Sequence, residues 1–312
     1  MAEEISRDEI GEASRRIRGL VRRTPLLDAG HALSTKFDLV LKLEHLQVTG
    51  SFKPRGAFSL LTSTDIPDTG VVAASGGNFG IAVAHAAATL GHRATIFVPA
   101  TSPRAKIDRI SALGAEVNVI PGFYDEALSA SREFAHAKGA FVAHAYDQRA
   151  VVAGQGTIGK EVTEECSVDH VVVAVGGGGL IGGIASWVRD EVTVVAAEPE
   201  TCRSLNASLA AGRQVEVDVS GVAASSLGAR SVGDHAWLAR KWINHSAVVP
   251  DSAIVDAQSW LWDEFRLAVE PAAATTVAVL AAGAFSPPEG SRVLTVLSGG
   301  NVSPGDVERS LV

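Results

Sequence analysis

Cysteine is nearly absent: Cys166 and Cys202 are the only two in the chain. Two thiols cannot build a disulfide framework or a four-cysteine zinc site, and each is read as a buried or indifferent thiol. The histidines are scattered without metal-ligand spacing. Long apolar runs are missing too. Residues 171–188 are interrupted by glycines, and residues 268–285 contain Glu270 and Pro271, so neither reads as a membrane span. Basic charge is not in excess. The net charge is −8 and no basic patch stands out, which argues against nucleic acid or an anionic membrane as partner. Residues 1–10 are charged and lack the apolar core of a secretory signal, so the expected location is the cytoplasm. There is no Gly-x-Ser-x-Gly elbow, no Walker lysine and no glycosidase-like carboxylate pair. Tandem repeats and low-complexity linkers are absent as well.

What is present points to a soluble α/β protein. The chain has 312 residues, 46% of them apolar and 20% charged, enough for one large or two medium domains with a substantial core. An amphipathic helix is expected over residues 3–19, ended by Arg22-Arg23-Thr24-Pro25 because proline disfavours helix before it. Residues 39–44 alternate as a strand. A βα rhythm follows, with strands at 71–74, 94–98, 116–120 and 140–143 and helices at 80–90, 103–113 and 124–138. It resumes with strand 171–175, helix 180–188 and strand 193–197, then helices 251–267 and 272–282 and strand 292–297. Such alternation predicts parallel, doubly wound sheets with ligands at the carboxyl ends of the strands. The expected division is a small domain, 67–146, inserted in a large one made of 1–66 and 147–312.

Four short turns carry the chemistry. Gly50-Ser51-Phe52-Lys53-Pro54-Arg55-Gly56-Ala57 places one lysine between a glycine and a helix-forming run. Most lysines are solvated surface groups, but an amine beside Phe52 in a small-residue turn suits covalent bonding to an aldehyde. Gly176-Gly177-Gly178-Gly179 follows a strand and opens a helix at Leu180. Its exposed amides and the helix dipole suit phosphate. The same stretch fits a dinucleotide fingerprint, Gly177-x-Gly179-x-x-Gly182 with Glu198 about 20 residues on, which leaves a nicotinamide-dependent oxidoreductase as a rival. Ser75-Gly76-Gly77-Asn78 could hold a carboxylate on its amides, or be an ordinary helix cap. Ser298-Gly299-Gly300-Asn301 ends the last strand, and its serine could serve as a neutral partner to a ring nitrogen.

Together these turns resemble the pyridoxal-phosphate fold-type II enzymes, specifically the serine/threonine dehydratase and serine racemase group. The resemblance also runs through Arg23-Thr24-Pro25-Leu26, Lys42-Leu43-Glu44, Ala153-Gly154-Gln155-Gly156-Thr157, Ala197-Glu198-Pro199 and Glu270-Pro271. It implies that Lys53 carries pyridoxal 5'-phosphate covalently and later serves as base at the substrate's α-carbon. Phe52 would pack near the cofactor and Asn78 would bond its ring oxygen. Gly176, Gly177, Gly178, Gly179 and Leu180 would cradle its phosphate, and Ser298 would face its ring nitrogen. Ser75, Gly76, Gly77 and Asn78 would take the substrate carboxylate. The implied reaction is β-elimination from L-threonine or L-serine, giving 2-oxobutanoate or pyruvate plus ammonia. A dehydratase or racemase for another β-hydroxy amino acid, such as 3-hydroxyaspartate, stays open, as does a non-catalytic binding protein. The resemblance further implies a homodimer, and a cation site for Mg2+, Ca2+ or K+ at Glu198, the Cys202 carbonyl and Ser204.

The departures from the group are specific. Serine racemases carry a second serine where this chain has Gly76. Glycine offers no proton donor, so little racemisation is expected. Phe79 stands where the group often has histidine. Ser220-Gly221-Val222 replaces an Ala-Asp-Gly element, leaving Ser225 or Ser226 to approach the substrate. Only fourteen residues follow Ser298, so feedback control through a C-terminal regulatory domain is not expected.

Overall fold

A computed structural model describes residues 2–122, 124–303 and 305. Helix α1, Arg7–Arg16, is shorter than the apolar pattern suggests, because Ser6 and Glu9 form a reciprocal capping box that fixes its start. Strands β1, Leu26–Gly30, and β2, Asp38–Lys42, then pair antiparallel. Helix α2, Lys53–Thr62, follows. Next come β3, Val71–Ala74, α3, Asn78–Leu90, β4, Ala94–Pro99, and α4, Arg104–Ala112. They lead into β5, Glu116–Ile120, α5, Tyr124–Lys138, β6, Phe141–Ala143, and α6, Arg149–Glu165. Strand β7, His170–Ala174, runs into α7, Gly179–Val188, and β8, Thr193–Pro199. Helices α8, Ser204–Ala211, α9, Ala224–Leu227, and α10, Asp234–Ala239, precede β9, His245–Val249. The described chain closes with α11, Asp251–Phe265, α12, Pro271–Ala281, and β10, Arg292–Val296.

These strands form two sheets. One has the order β1-β2-β10-β7-β8-β9, and only β1 runs antiparallel. The other has the order β5-β4-β3-β6 and is parallel throughout. Both are covered on two faces, as parallel sheets require. In the larger one, Val171, Val173 and Val175 face a core shared with α7 and α10, while Val172 faces the opposite core with α11 and α12. That alternation is the period of two expected of a strand. In the smaller sheet, Val71 and Ala73 pack with α2 and α3, and Val72 turns to α5.

The position of β10 decides where the chemistry meets. It slots between β2 and β7, with Thr295 opposite Leu41 on one side and Val172 on the other. The turns after β2, β7 and β10 are far apart in sequence and adjacent at one edge of the sheet.

Several elements escaped the sequence pattern. Strands β1 and β9 are short, and helices α8 to α10 are brief. The long helix α6 carries Gly154, Gly156 and Gly159, which are poor helix formers. Tertiary packing explains them. A Cβ on Gly154 would lie 2.4 Å from the Arg55 carbonyl oxygen, and one on Gly156 2.8 Å from that of Gly183. The glycines let α6 approach α2 and α7 closely. Among the described residues, no helix is long and apolar enough to cross a membrane.

Candidate active site

Lys53 is the first residue of α2, and its approach is fixed by the last strand. Thr49 and Gly50 both take positive φ, 65° and 78°. A Cβ on Gly50 would lie 2.4 Å from Asn301 Oδ1, so the turn admits only glycine there. The Phe52 amide donates to the Ser298 carbonyl at 3.0 Å, and the Gly300 amide donates to the Gly50 carbonyl at 2.9 Å. Ser51 bridges Gly299 between these bonds. The lysine turn and the Ser298 turn are thus laced together.

The Lys53 amine has few polar neighbours. It donates to the Ala145 carbonyl at 3.2 Å and lies 5.0 Å from the Phe52 ring centre and 5.8 Å from that of Phe79. Burial among these groups pushes its pKa down to about 8, against the opposing pull of the Glu270 carboxylate. An amine that gives up its proton near neutrality can act as a nucleophile or base.

Asn78 opens α3 and is locked from two sides. Its Nδ2 donates to Glu270 Oε2 at 2.7 Å, and its Oδ1 accepts from Asn301 Nδ2 at 2.7 Å. One hydrogen of the Asn78 amide is left for a ligand. Glu270 is buried and also receives Lys106 Nζ at 3.4 Å and Ser226 Oγ at 3.5 Å. Neither Glu270 nor Lys106 had a chemical role in the sequence reading; the Glu270-Pro271 pair was noted only as a resemblance. Ser226, which the resemblance left to approach the substrate, stands beside Glu270. Ser298 is buried to 6% exposure, and its hydroxyl bonds to none of the described residues.

The glycine turn lies on the far side of Ala145. Gly178 takes φ 86° at the start of α7. A Cβ on Gly177 would sit 2.3 Å from the Tyr146 ring, and one on Gly179 2.8 Å from the Tyr146 carbonyl. Tyr146 therefore roofs the turn, and the residue before it receives the lysine; nothing in the sequence pattern pointed to either. Gly177, Gly178, Gly179 and Leu180 are buried, and their amides donate to no described residue. Buried amides at a helix start that lack acceptors fit a phosphate group. Replacing Gly177 by alanine drives a methyl into the Tyr146 ring. It is expected to weaken binding of the phosphate-bearing aldehyde that the resemblance implies by roughly tenfold or more. Titrating the protein with that aldehyde while following its visible absorbance checks this, and unchanged affinity would remove the turn from the site.

The Ser75–Asn78 turn ends β3. Ser75 Oγ accepts from the Gly77 amide at 3.2 Å, and a Cβ on Gly77 would lie 3.7 Å from the Ser225 carbonyl. The Ser75 and Ser298 turns therefore meet: a Cβ built on Gly299 would lie 3.3 Å from Asn78 Nδ2.

The proposed cation ligands are neighbours with bonds of their own. Glu198 accepts from the amides of Leu205 at 2.8 Å and Asn206 at 2.7 Å, capping α8. Burial raises its pKa to about 7 despite those donors. Ser204 Oγ donates to the Gly176 carbonyl at 3.0 Å, and Cys202 Sγ to the Ser220 carbonyl at 3.2 Å. No cluster of three or more His, Cys, Asp or Glu side chains that could hold a metal occurs among the described residues. The capping role of Glu198 also removes the free acid that a dinucleotide ribose would need, which undercuts the nicotinamide reading.

Behind Lys53 lies a buried charge cluster. Arg55 and Lys42 are fully buried, as is Glu44. Arg55 Nε and Nη2 donate to the two Glu44 carboxylate oxygens at 2.8 and 2.7 Å. Its Nη1 reaches Glu161 Oε1 at 2.7 Å and Thr157 Oγ1 at 3.1 Å. Lys42 Nζ donates to Glu161 Oε2 and to the Thr24 carbonyl, each at 2.8 Å. The cluster pins the first turn of α2 to β2 and α6. It accounts for Thr24, Lys42, Glu44 and Thr157, which the sequence offered only as points of resemblance.

Residues 17–299 match the family model described as pyridoxal-phosphate dependent enzyme. The chain is 36% identical over 314 residues to the L-threonine ammonia-lyase of Thermotoga maritima, covering 98% of this chain and 78% of that one. Among solved structures, maize serine racemase superposes with a TM-score of 0.91 at 30% identity, over 99% of this chain and 97% of the other. The processed form of threonine deaminase isoform 2 from Solanum lycopersicum gives 0.89 at 27% identity, over 99% and 94%.

Proposed function

The chain belongs to the family of pyridoxal-phosphate dependent enzymes, and we propose that within it this protein is a lyase acting on L-threonine or L-serine. It releases 2-oxobutanoate or pyruvate together with ammonia. The observation that carries this reading is one buried lysine amine of lowered pKa near two turns with free amides, laced to the turn that carries Ser298. Similarity to an L-threonine ammonia-lyase over nearly the whole chain supports the choice of reaction.

When bound, pyridoxal phosphate supplies an electron sink for the charge left by removal of the α-proton. Lys53 would hold that group covalently and would serve as the base for the substrate's α-proton. The amides of Gly177 to Leu180, with Gly176 before them, hold the phosphate. Asn78, fixed by Glu270 and Asn301, offers its remaining amide hydrogen to the ring oxygen. Ser298 offers a hydroxyl to the ring nitrogen. As a hydroxyl, Ser298 would be a neutral partner there and would not protonate that nitrogen as a carboxylic acid would. The amides of the Ser75–Asn78 turn take the substrate carboxylate. Phe52 and Phe79 keep water from the amine. In this reading the substrate turn lies on a small unit, 67–146, and the lysine on a large one, 1–66 and 147–312.

The test is the visible spectrum of the purified protein before and after L-threonine or L-serine, with keto acid followed in the same cuvette. A visible band plus keto acid is expected. A band without keto acid from either amino acid would overturn the reaction and keep the cofactor.

A further inference from the structure

Gly76 lacks a side chain, and the structure gives the reason. A Cβ built on Gly76 would lie 1.8 Å from Ser102 Oγ and 2.6 Å from Ser102 Cβ. No real pair of atoms tolerates such distances, so the Ser102 side chain occupies the space that a residue 76 side chain would fill. Ser102 comes from a different segment, the turn between β4 and α4. Its amide donates to the Pro99 carbonyl at 2.9 Å, which fixes the backbone of that turn. Its hydroxyl bonds to no described residue, and Ser102 is only partly buried. The absence of a hydroxyl on residue 76 is therefore not the absence of a hydroxyl at that place.

The surroundings say what this hydroxyl can do. It stands over the Ser75–Asn78 turn at the start of α3, a helix of thirteen residues. The amides of Gly76, Asn78 and Phe79 donate to no described residue there. A free hydroxyl beside free amides at a helix start is a donor set for a carboxylate. A serine hydroxyl rotates to suit its partner, so it can also accept from a substrate ammonium or hydroxyl.

We propose that Ser102 is a substrate-positioning and specificity-determining residue, supplying from the β4–α4 turn the hydroxyl that completes the carboxylate seat of the Ser75–Asn78 turn. Gly76 and Ser102 form one unit: the glycine is small so that the serine can be there. This rests on the reading of the site as an amino-acid lyase, and the experiment separates the two.

The holoenzyme is compared with Ser102→Ala, Ser102→Gly, Gly76→Ala, Gly76→Ala/Ser102→Gly and Gly76→Ser/Ser102→Gly. Two readouts are taken. One is the dissociation constant of glycine, an amino acid with no β-leaving group, from the change it causes in the visible spectrum. The other is KM and kcat for L-threonine and L-serine. Ser102→Ala is expected to raise the glycine dissociation constant and KM by about tenfold, the loss typical of one hydrogen bond to a charged group, with kcat changed far less. Gly76→Ala should cause a loss of similar size by displacing Ser102. In the Ser102→Gly background the added methyl should cost little more, because the two substitutions act on one contact. Gly76→Ser/Ser102→Gly, which moves the hydroxyl onto residue 76, should recover most of the affinity. The unsubstituted protein's own cofactor spectrum should be kept by every variant, which a general disturbance of the fold would not do. Glycine affinity and KM within twofold of the parent in Ser102→Ala would overturn the proposal. So would strictly additive losses at residues 76 and 102. A parent that binds glycine yet forms no keto acid from L-threonine or L-serine would defeat the lyase reading, while the glycine titrations would still decide the role of Ser102.

Discussion

Replacing Lys53 by alanine is expected to abolish the cofactor's lysine-bonded visible band and to cut keto acid formation by at least about 10³-fold. Among the described residues, no other lysine is shown in contact with the groups around the Lys53 amine. Lys106, the nearest in the site by its contacts, is engaged with Glu270 at 3.4 Å, and Lys42 is committed to Glu161 behind the helix. The environment of Lys53 adds a pH dependence to the same experiment. Only the neutral amine attacks an aldehyde, and burial sets its pKa near 8. Cofactor capture by the apoprotein should therefore accelerate as pH rises, close to tenfold per unit below about 8, and level off above it. Stopped-flow absorbance during reconstitution gives both the slope and the plateau. A rate still climbing steeply beyond pH 10 would mean that the amine behaves as a solvated lysine. Turnover near the parent's rate in Lys53→Ala would remove this residue from the mechanism.

The second large effect is on stability and comes from a residue that touches no ligand. Arg55→Leu strips two buried carboxylates, Glu44 and Glu161, of their main partner. Glu44 then has no cationic partner in a region closed to water. Glu161 keeps Lys42 at 2.8 Å, but Glu44 retains only the Thr24 hydroxyl. Breaking such a pair costs about 3–5 kcal/mol. Urea denaturation followed by tryptophan fluorescence should show that loss. The double variant Arg55→Leu/Glu44→Leu removes one charge of each sign and leaves the Lys42–Glu161 pair whole. It should be less destabilised than the sum of the two single variants, since charged groups in direct contact are not additive. A single variant as stable as the parent would show that the cluster contributes nothing to the fold. Because Arg55 lies two residues beyond Lys53 on α2, weakened cofactor binding is expected to accompany the loss.

The charge cluster also marks where the sequence could be read and where it could not. The turns announced themselves, because glycine and serine next to a strand leave amides exposed whatever the rest of the chain does. Alternation of strands and helices announced parallel sheets, because a parallel crossover needs a helix. Helix α6 stayed hidden, because its glycines argue locally against a helix and only the close passage of α2 and α7 requires them. Tyr146 and Ser102 were invisible for a related reason: each matters through the space it denies to a glycine on another segment. Glu44, Thr157 and Glu161 come from separate parts of the chain, and no spacing rule could announce that they share the Arg55 guanidinium.

The amino-acid sequence by itself determined the fold class and singled out one lysine and the glycine-rich turns, since strand–helix alternation and local backbone chemistry mark these. Only the tertiary structure decided that the turns after β2, β7 and β10 share one edge, that Glu270 and Asn301 lock Asn78, and that Ser102 fills the place left by Gly76. Those relations depend on β10 threading between β2 and β7, and a strand's choice of neighbours is a property of the assembled sheet.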